Sequence, residues 1–315
     1  MGRLMPLWQK TVADIVVLSG IGVHSGAAAS LTIYPAEANT GMVFVRGDLE
    51  GSKEIVASLH TVCATEFCTA IGDMKAAGVS TVEHLVATLS GLGIDNALIE
   101  VEGAEVPIMD GSAAPFVEAI VQSGIRTLDA PRRFIKIIKP IRVEKGRSVG
   151  EFLPHDGFAL DVTIAFDTKA IGTQQLVLDV TPDSFVKELA RARTFGFIGQ
   201  VEELWSAGYA MGASLENTVV LGEDEVLNPE GLRWADEFVR HKALDALGDL
   251  ALAGAPIMGR YRSVRGGHHL NYQMLKALAA DRSAWCWVEG AARRESGHAE
   301  LAHGIATPAF GPDLS

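Results

Sequence analysis

The chain has 315 residues, 48% of them apolar, and 27 Lys and Arg against 39 Asp and Glu give it a formal charge of −12. That length is a prior for about two domains, and the apolar share is enough for a sizeable core. The acidic balance excludes wholesale binding to nucleic acid or to an anionic membrane surface, so any anionic ligand must be met by a few local Lys and Arg side chains.

Three cysteines, Cys63, Cys68 and Cys286, form no disulfide framework and fit a reducing cytoplasm. The apolar run near the start is short, carries Asp14 and precedes no cleavage pattern, so no secretory leader is expected. No apolar run reaches the length of a membrane span, so no stable membrane insertion is expected.

In chain order, strand-like runs come first: 12-VADIVVLSGIGVHSG-26, 29-ASLTIYPA-36 and 42-MVFVRGD-48. Then 80-STVEHLVATLSGLG-93 has apolar Val82, Leu85, Val86 and Leu89 at helical spacing, with Gly91 and Gly93 as a stop. A strand follows at 97-ALIEVEG-103, then a helix through 115-PFVEAIVQSG-124 begun near Ser112. The stretch 125-IRTLDAPRR-133 reads as a linker.

Strand signals restart at 134-FIKIIKPIRVEKG-146, 151-EFLP-154 and 158-FALDVTIAF-166. Helices are expected at 182-PDSFVKELARAR-193, 230-EGLRWADEFVRHKALDALGDLALAG-254 and 271-NYQMLKALAAD-281, with a strand at 284-AWCWVE-289. Both halves run from strands to helices. The fold class is therefore α+β: two similar domains, 1–127 and 128–315, each a sheet layered against helices, meeting at a shared site. The tail after about residue 293, polar with Gly and Pro, is expected to be mobile.

Three local patterns carry chemistry. His241 and Asp245 stand one helical turn apart, the spacing that lets two side chains reach one ion. Alone, such a pair is ordinarily a hydrogen-bonded surface pair. Glu83 and His84 near a helix start offer a base and a third ligand, although Ser80-x-x-Glu83 also fits a capping box. The turn in 264-VRGGHHLNYQML-275 places a His pair just before a helix, and its plain reading is a Gly-rich loop.

Together, His84, His241 and Asp245 make a His₂Asp set with one open position, the arrangement of a catalytic zinc site. Glu83 could then deprotonate water, a further His could protonate a leaving group, and Asp249 could orient that His and keep it cationic.

The motifs 80-STVEHL-85, 107-PIMDGSAAPFV-117, 191-RARTFGF-197, 236-DEFVRHKALDALGDL-250 and 266-GGHHLN-271 occur in this order. In these the chain resembles the UDP-3-O-acyl-N-acetylglucosamine deacetylases, zinc amidases that commit the pathway to lipid A. The resemblance covers most of the chain, from about residue 11 to residue 289. It implies Zn²⁺ on His84, His241 and Asp245, with Glu83 as general base.

It further implies His268, rather than His269, as the cationic group that protonates the departing amine, with Asp249 supporting it. Thr194 would hydrogen-bond the oxyanion, Lys242 would bind substrate and Phe166 would stack on uracil. Arg265 is a candidate diphosphate contact, since Arg pairs phosphate oxygens bidentately.

The resemblance also implies a β-α-β insert, here about 195–222, that forms an acyl passage. Phe197, Val201, Leu204, Ala210 and Ala213 are its candidate lining residues. Cys68 stands where the family often carries a cysteine near the site. Ala165 departs from the acidic residue that often precedes the stacking Phe. The expected substrate is acylated UDP-N-acetylglucosamine, and a monomer is expected. The alternatives are a zinc amidase for another nucleotide sugar and a scaffold with a fossil metal site.

Overall fold

The computed structural model describes residues 8–290; the tail after about residue 293 lies outside the described residues. The first half contains strands β1 (Trp8–Val12), β2 (Val16–Ile21), β3 (Ala28–Pro35), β4 (Met42–Arg46), β5 (Ile55–Val56), β6 (Val62–Ala64) and β7 (Ala70–Ile71). Helix α1 (Glu83–Leu92), β8 (Ala97–Glu102), α2 (Ala114–Ser123) and β9 (Ile125–Pro131) follow. Five strands form a sheet in the order β2-β3-β8-β4-β5, and β6 pairs with β7 in a small separate ribbon.

The second half holds β10 (Arg133–Ile137), β11 (Ile141–Lys145), β12 (Ser148–Leu153), β13 (Phe158–Ala165) and β14 (Thr173–Val180). A short turn α3 (Pro182–Ser184) leads into a π-helical turn over Phe185–Leu189. Then come β15 (Phe195–Phe197), α4 (Val201–Ser206), β16 (Val219–Leu221), α5 (Glu237–Ala251), β17 (Ile257–Val264), α6 (His268–Ala280) and β18 (Trp285–Glu289). Seven of these strands share one sheet, running β11-β12-β17-β10-β18 with β13 and β14 joined through β17. The fold is α+β.

Helices α1 and α5 lie at the centre. Nine of the ten α1 residues and twelve of the fifteen α5 residues are buried. Each helix is covered on more than one side: α1 meets α2, the π turn and α5, while α5 meets β13, β14 and α6. The strands alternate as a half-buried sheet should; β3 buries Ala29, Leu31 and Ile33 and turns Thr32 and Tyr34 outward. One apolar cluster runs through both halves, from Val12 to Trp285.

Close approach of α1 and α5 depends on Gly248. A Cβ there would stand 2.0 Å from the Glu83 carbonyl oxygen, far inside van der Waals contact. No other residue type fits that crossing.

Several expectations change. The stretch 125–133 is no linker: β9 pairs antiparallel with β1. Its side chains are mostly exposed, so it lacks the apolar alternation that marks a half-buried strand. The long helix expected from 230 begins only at Glu237, because residues 231–236 are held as turns by the Glu230–Arg193 ion pair and the bond from Arg233 N to Glu237. The helix expected over 182–193 breaks into a turn and the π turn, where Phe185 packs against Gly91 of α1. His268 and His269 open α6 instead of preceding it.

Candidate active site

Three buried side chains converge where α1 meets α5. The carboxylate oxygen Asp245 Oδ1 lies 3.4 Å from His84 Nε2 and 3.3 Å from His241 Nε2. His241 and Asp245 come from successive turns of α5, and His84 from the first turn of α1. The two imidazoles stand nearly perpendicular, 86° apart.

The donor set itself tests whether a metal fits. Among the described residues Asp245 Oδ1 is buried with no hydrogen-bond partner, a condition that ordinarily costs free energy. His241 Nδ1 is 3.1 Å from the Ala192 carbonyl, to which it donates, so its Nε2 presents a lone pair. Burial lowers the His241 pKa to about 3, which keeps the ring neutral. A lone pair and a carboxylate oxygen facing each other at 3.3 Å repel unless a cation lies between them. Tetrahedral ligands on bonds of about 2.1 Å are about 3.4 Å apart, which agrees with both spacings. His84, His241 and Asp245 therefore fit a divalent metal.

Burial would raise the Asp245 pKa, but its neighbours His241 and Lys242 hold it well below the ordinary carboxylate range. Lys242 Nζ donates to the other carboxylate oxygen at 2.8 Å and lies 5.7 Å from the Phe195 ring. The structure thus ties Lys242 to Asp245.

Glu83 is buried beside His84, and it does not close a capping box. Its Oε2 accepts the Thr69 amide at 3.0 Å, while the Ser80 amide and hydroxyl both turn to the Ala104 carbonyl. Desolvation raises the Glu83 pKa against the pull of His268 and His84.

The His pair separates cleanly. His268 is buried, its Nδ1 2.9 Å from Asp249 Oδ2 and its Nε2 3.9 Å from Asp245. His269 is exposed and meets Lys145 and Thr65. Burial alone would lower the His268 pKa, but the surrounding carboxylates, Asp249 first and then Glu83 and Asp245, together outweigh it and lift the value to about 9. Asp249 also accepts from Thr69 Oγ1 at 2.5 Å and from Asn271 Nδ2 at 2.7 Å, and Asn271 in turn accepts from Tyr261.

Thr194 stands between two residues that touch His241: Ala192 through its carbonyl and Phe195 through its ring. Its amide donates to the Gly111 carbonyl at 2.8 Å. Gly111 sits at φ 83°, and a Cβ there would meet the Asn217 carbonyl oxygen at 2.1 Å, so this loop requires glycine. The segment carrying Thr194, just before β15, is clamped to α5 by Arg193, buried on the wholly buried Glu237 and bonded to it by Nε at 2.9 Å and by its amide at 3.0 Å. Arg233 extends the clamp to Asp110 of the first half.

Phe166 follows β13 and packs against Phe195 and Phe197, with centroids 5.8 and 6.0 Å away. Arg265 is exposed at φ 53°, its backbone bonded to Thr163 and Ser148. Among the described contacts no side-chain bond joins Arg265 or Phe166 to the His–Asp cluster. In the segment 195–222, β15 and β16 pair in parallel with α4 between them. It reaches the first half through Met211 N to His24 O and Gly212 N to Val23 O, each 3.0 Å. Phe197, Val201, Leu204 and Ala210 are half-buried and Ala213 is exposed.

Thr69, Asn271 and the Ala192 carbonyl escape sequence reasoning. Thr69 and Ala192 act partly through backbone atoms, which no motif advertises. Asn271 closes the GGHHLN motif, and that position is the one signal that could have drawn attention to it.

The family described as UDP-3-O-acyl N-acetylglycosamine deacetylase matches residues 9–280. The chain belongs to this family. Curated relatives named UDP-3-O-acyl-N-acetylglucosamine deacetylase, from Brucella ovis, Brucella canis and Brucella melitensis, are each 51% identical over 286 residues. The match spans 90% of this chain and 100% of each relative. Family membership accounts for the recurrence of the five motifs around this cluster.

Proposed function

We propose that the protein hydrolyses the acetamide of UDP-3-O-(3-hydroxyacyl)-N-acetylglucosamine, releasing acetate and the 2-amino sugar nucleotide, the committed step of lipid A biosynthesis. The observation that carries this reading is the buried convergence of His84, His241 and Asp245 with Glu83 and the His268–Asp249 pair, in a chain of this family.

His84, His241 and Asp245 would hold Zn²⁺, which supplies Lewis acidity at the amide carbonyl and at the attacking water. Glu83 accepts the proton of that water, its carboxylate aimed by the Thr69 amide. His268, cationic at neutral pH through Asp249, gives a proton from Nε2 to the departing nitrogen. Thr194, a half-buried residue, stabilises the oxyanion through its hydroxyl. Preorganised donors of this kind act strongly because they need no reorientation as charge develops.

Lys242, Phe166, Arg265 and Phe197 are assigned to substrate. The Phe166–Phe197–Phe195 ring cluster connects the end of β13 with His241, which supports an extended ligand running from uracil to the reacting amide. The segment 195–222 takes the acyl chain. The two domains are assigned to 1–127 and 128–315, and the protein is read as a cytoplasmic monomer. Among the described residues no helix is long and apolar enough to cross a membrane.

The test is metal-dependent acetate release from the acylated substrate, compared with non-acylated UDP-N-acetylglucosamine. Equal rates on both would point to another nucleotide sugar. No release from either, in protein loaded with one zinc, would overturn the reading.

A further inference from the structure

Thr69 is 2% exposed and stands just before β7, yet it touches both sides of the site. Its amide donates to Glu83 Oε2 at 3.0 Å. Its hydroxyl donates to Asp249 Oδ1 at 2.5 Å, and the same oxygen lies 3.4 Å from His268 Nδ1. Its carbonyl accepts the Val82 amide at 3.2 Å, directly before Glu83. Among the described hydrogen bonds, no other residue joins Glu83 to the Asp249–His268 pair.

We infer that Thr69 is a positioning residue that sets the separation between the proton-accepting Glu83 carboxylate and the proton-donating His268 imidazole. The inference rests on the roles assigned above to Glu83 and His268.

The need for such a residue is geometric. Glu83 comes from α1 in the first half, whereas Asp249 and His268 come from α5 and α6 in the second. One turnover requires the two groups to serve the same small volume, one taking a proton from water and the other giving one to nitrogen. A displacement of about 1 Å in such a site costs about a hundredfold in rate.

Thr69 spans the gap with two donors on one residue. Its carbonyl pins it to the start of α1, and its β-branched side chain has few rotamers. The hydroxyl's short bond is charge-assisted, and it leaves Asp249 Oδ2 for His268 Nδ1 and Asn271. Without the hydroxyl, Asp249 loses its donor on Oδ1 and is held only through Oδ2, by Asn271 and His268, so the carboxylate can pivot about that oxygen and shift His268 with it.

The test compares Thr69→Val, which keeps shape and amide, with Thr69→Ser, which keeps the hydroxyl. In metal-loaded protein, Thr69→Val is expected to lower kcat about tenfold or more with KM near that of the parent, and Thr69→Ser is expected to restore most of the loss. A readout independent of turnover is the downfield proton resonance of His268 Nδ1–H, identified by its absence in His268→Gln. It should shift or broaden in Thr69→Val and persist in Thr69→Ser.

An unchanged resonance in Thr69→Val, or a Thr69→Ser variant as impaired as Thr69→Val, would overturn the inference. If the parent protein releases no acetate, the functional reading falls, while the resonance still decides whether Thr69 holds the Asp249–His268 pair.

Discussion

Gly248 of α5 lies against the backbone of Glu83 of α1, so close that a methyl group would stand 2.0 Å from the Glu83 carbonyl oxygen. The contact sets the crossing of the two buried helices that carry the His–Asp cluster. Gly248→Ala is therefore expected to force α1 and α5 apart, at a cost of about 1–3 kcal/mol for overpacking. Because Glu83 and His84 ride on α1, acetate release should fall further than stability does. Denaturant unfolding and steady-state kinetics on the same preparation check both effects.

Metal binding and proton transfer should separate by mutation. His241→Ala removes a proposed ligand, and metal analysis should find substoichiometric zinc in the purified variant. Glu83→Gln should keep the metal and lose about 10²–10⁴ in kcat, the usual share of a general base. Normal zinc in His241→Ala would refute the ligand set. Full activity in metal-loaded Glu83→Gln would refute the base assignment.

Cys68 is buried, and desolvation, with Glu83 nearby, pushes its thiol pKa up to about 12. Only thiolate reacts readily. Exposed Cys286 should consume a thiol reagent at about pH 8, exposed Cys63 should follow more slowly because desolvation pushes its thiol pKa up, and Cys68 should react only on unfolding. Titration with a chromogenic disulfide should count two thiols in the native protein and three after denaturation.

The Arg46–Asp48 pair should leave a signature in acid. Arg46 is buried and donates Nε and Nη2 to the Asp48 carboxylate at 2.8 and 2.7 Å, which lowers the Asp48 pKa to about 2. An unfolded Asp titrates near ~3.9. The folded value is depressed, so the pair stabilises the fold fully above about pH 4 and loses that contribution as pH falls through about 2. Asp48→Asn should be less stable than the parent at about pH 6, with the gap closing toward pH 2. A gap that does not change with pH would exclude the ion pair as its cause.

Much of the core of the site was legible because it obeys helical spacing. His241 and Asp245 share one face of α5, and Asp249 follows one turn on, so the column could be read before its partners were known. What spacing could not supply was distance across the chain. Glu83 and His84 reach Asp245 only through the α1–α5 crossing, and that crossing depends on Gly248, a residue that reads locally as a weak helix position. Thr69 was hidden for a related reason: two of its three ties are backbone ties, and backbone atoms are the same in every residue type.

Fold expectations failed where tertiary contacts override local pattern. Residues 125–131 look like a polar connector, yet β1 supplies the edge they pair with. Residues 231–236 have helical composition, but the buried Arg193–Glu237 clamp fixes the start of α5 at Glu237.

The apolar cluster that runs unbroken from Val12 to Trp285 has a thermodynamic consequence. Neither half keeps its inner surface dry without the other, so the chain should unfold as one cooperative body. An ion held at the α1–α5 crossing then fastens the whole molecule, and occupancy at a hundred times its dissociation constant adds about 2.7 kcal/mol to global stability. The metal would act as a rivet for the entire fold, and its loss would register at every probe of unfolding, however far from His84.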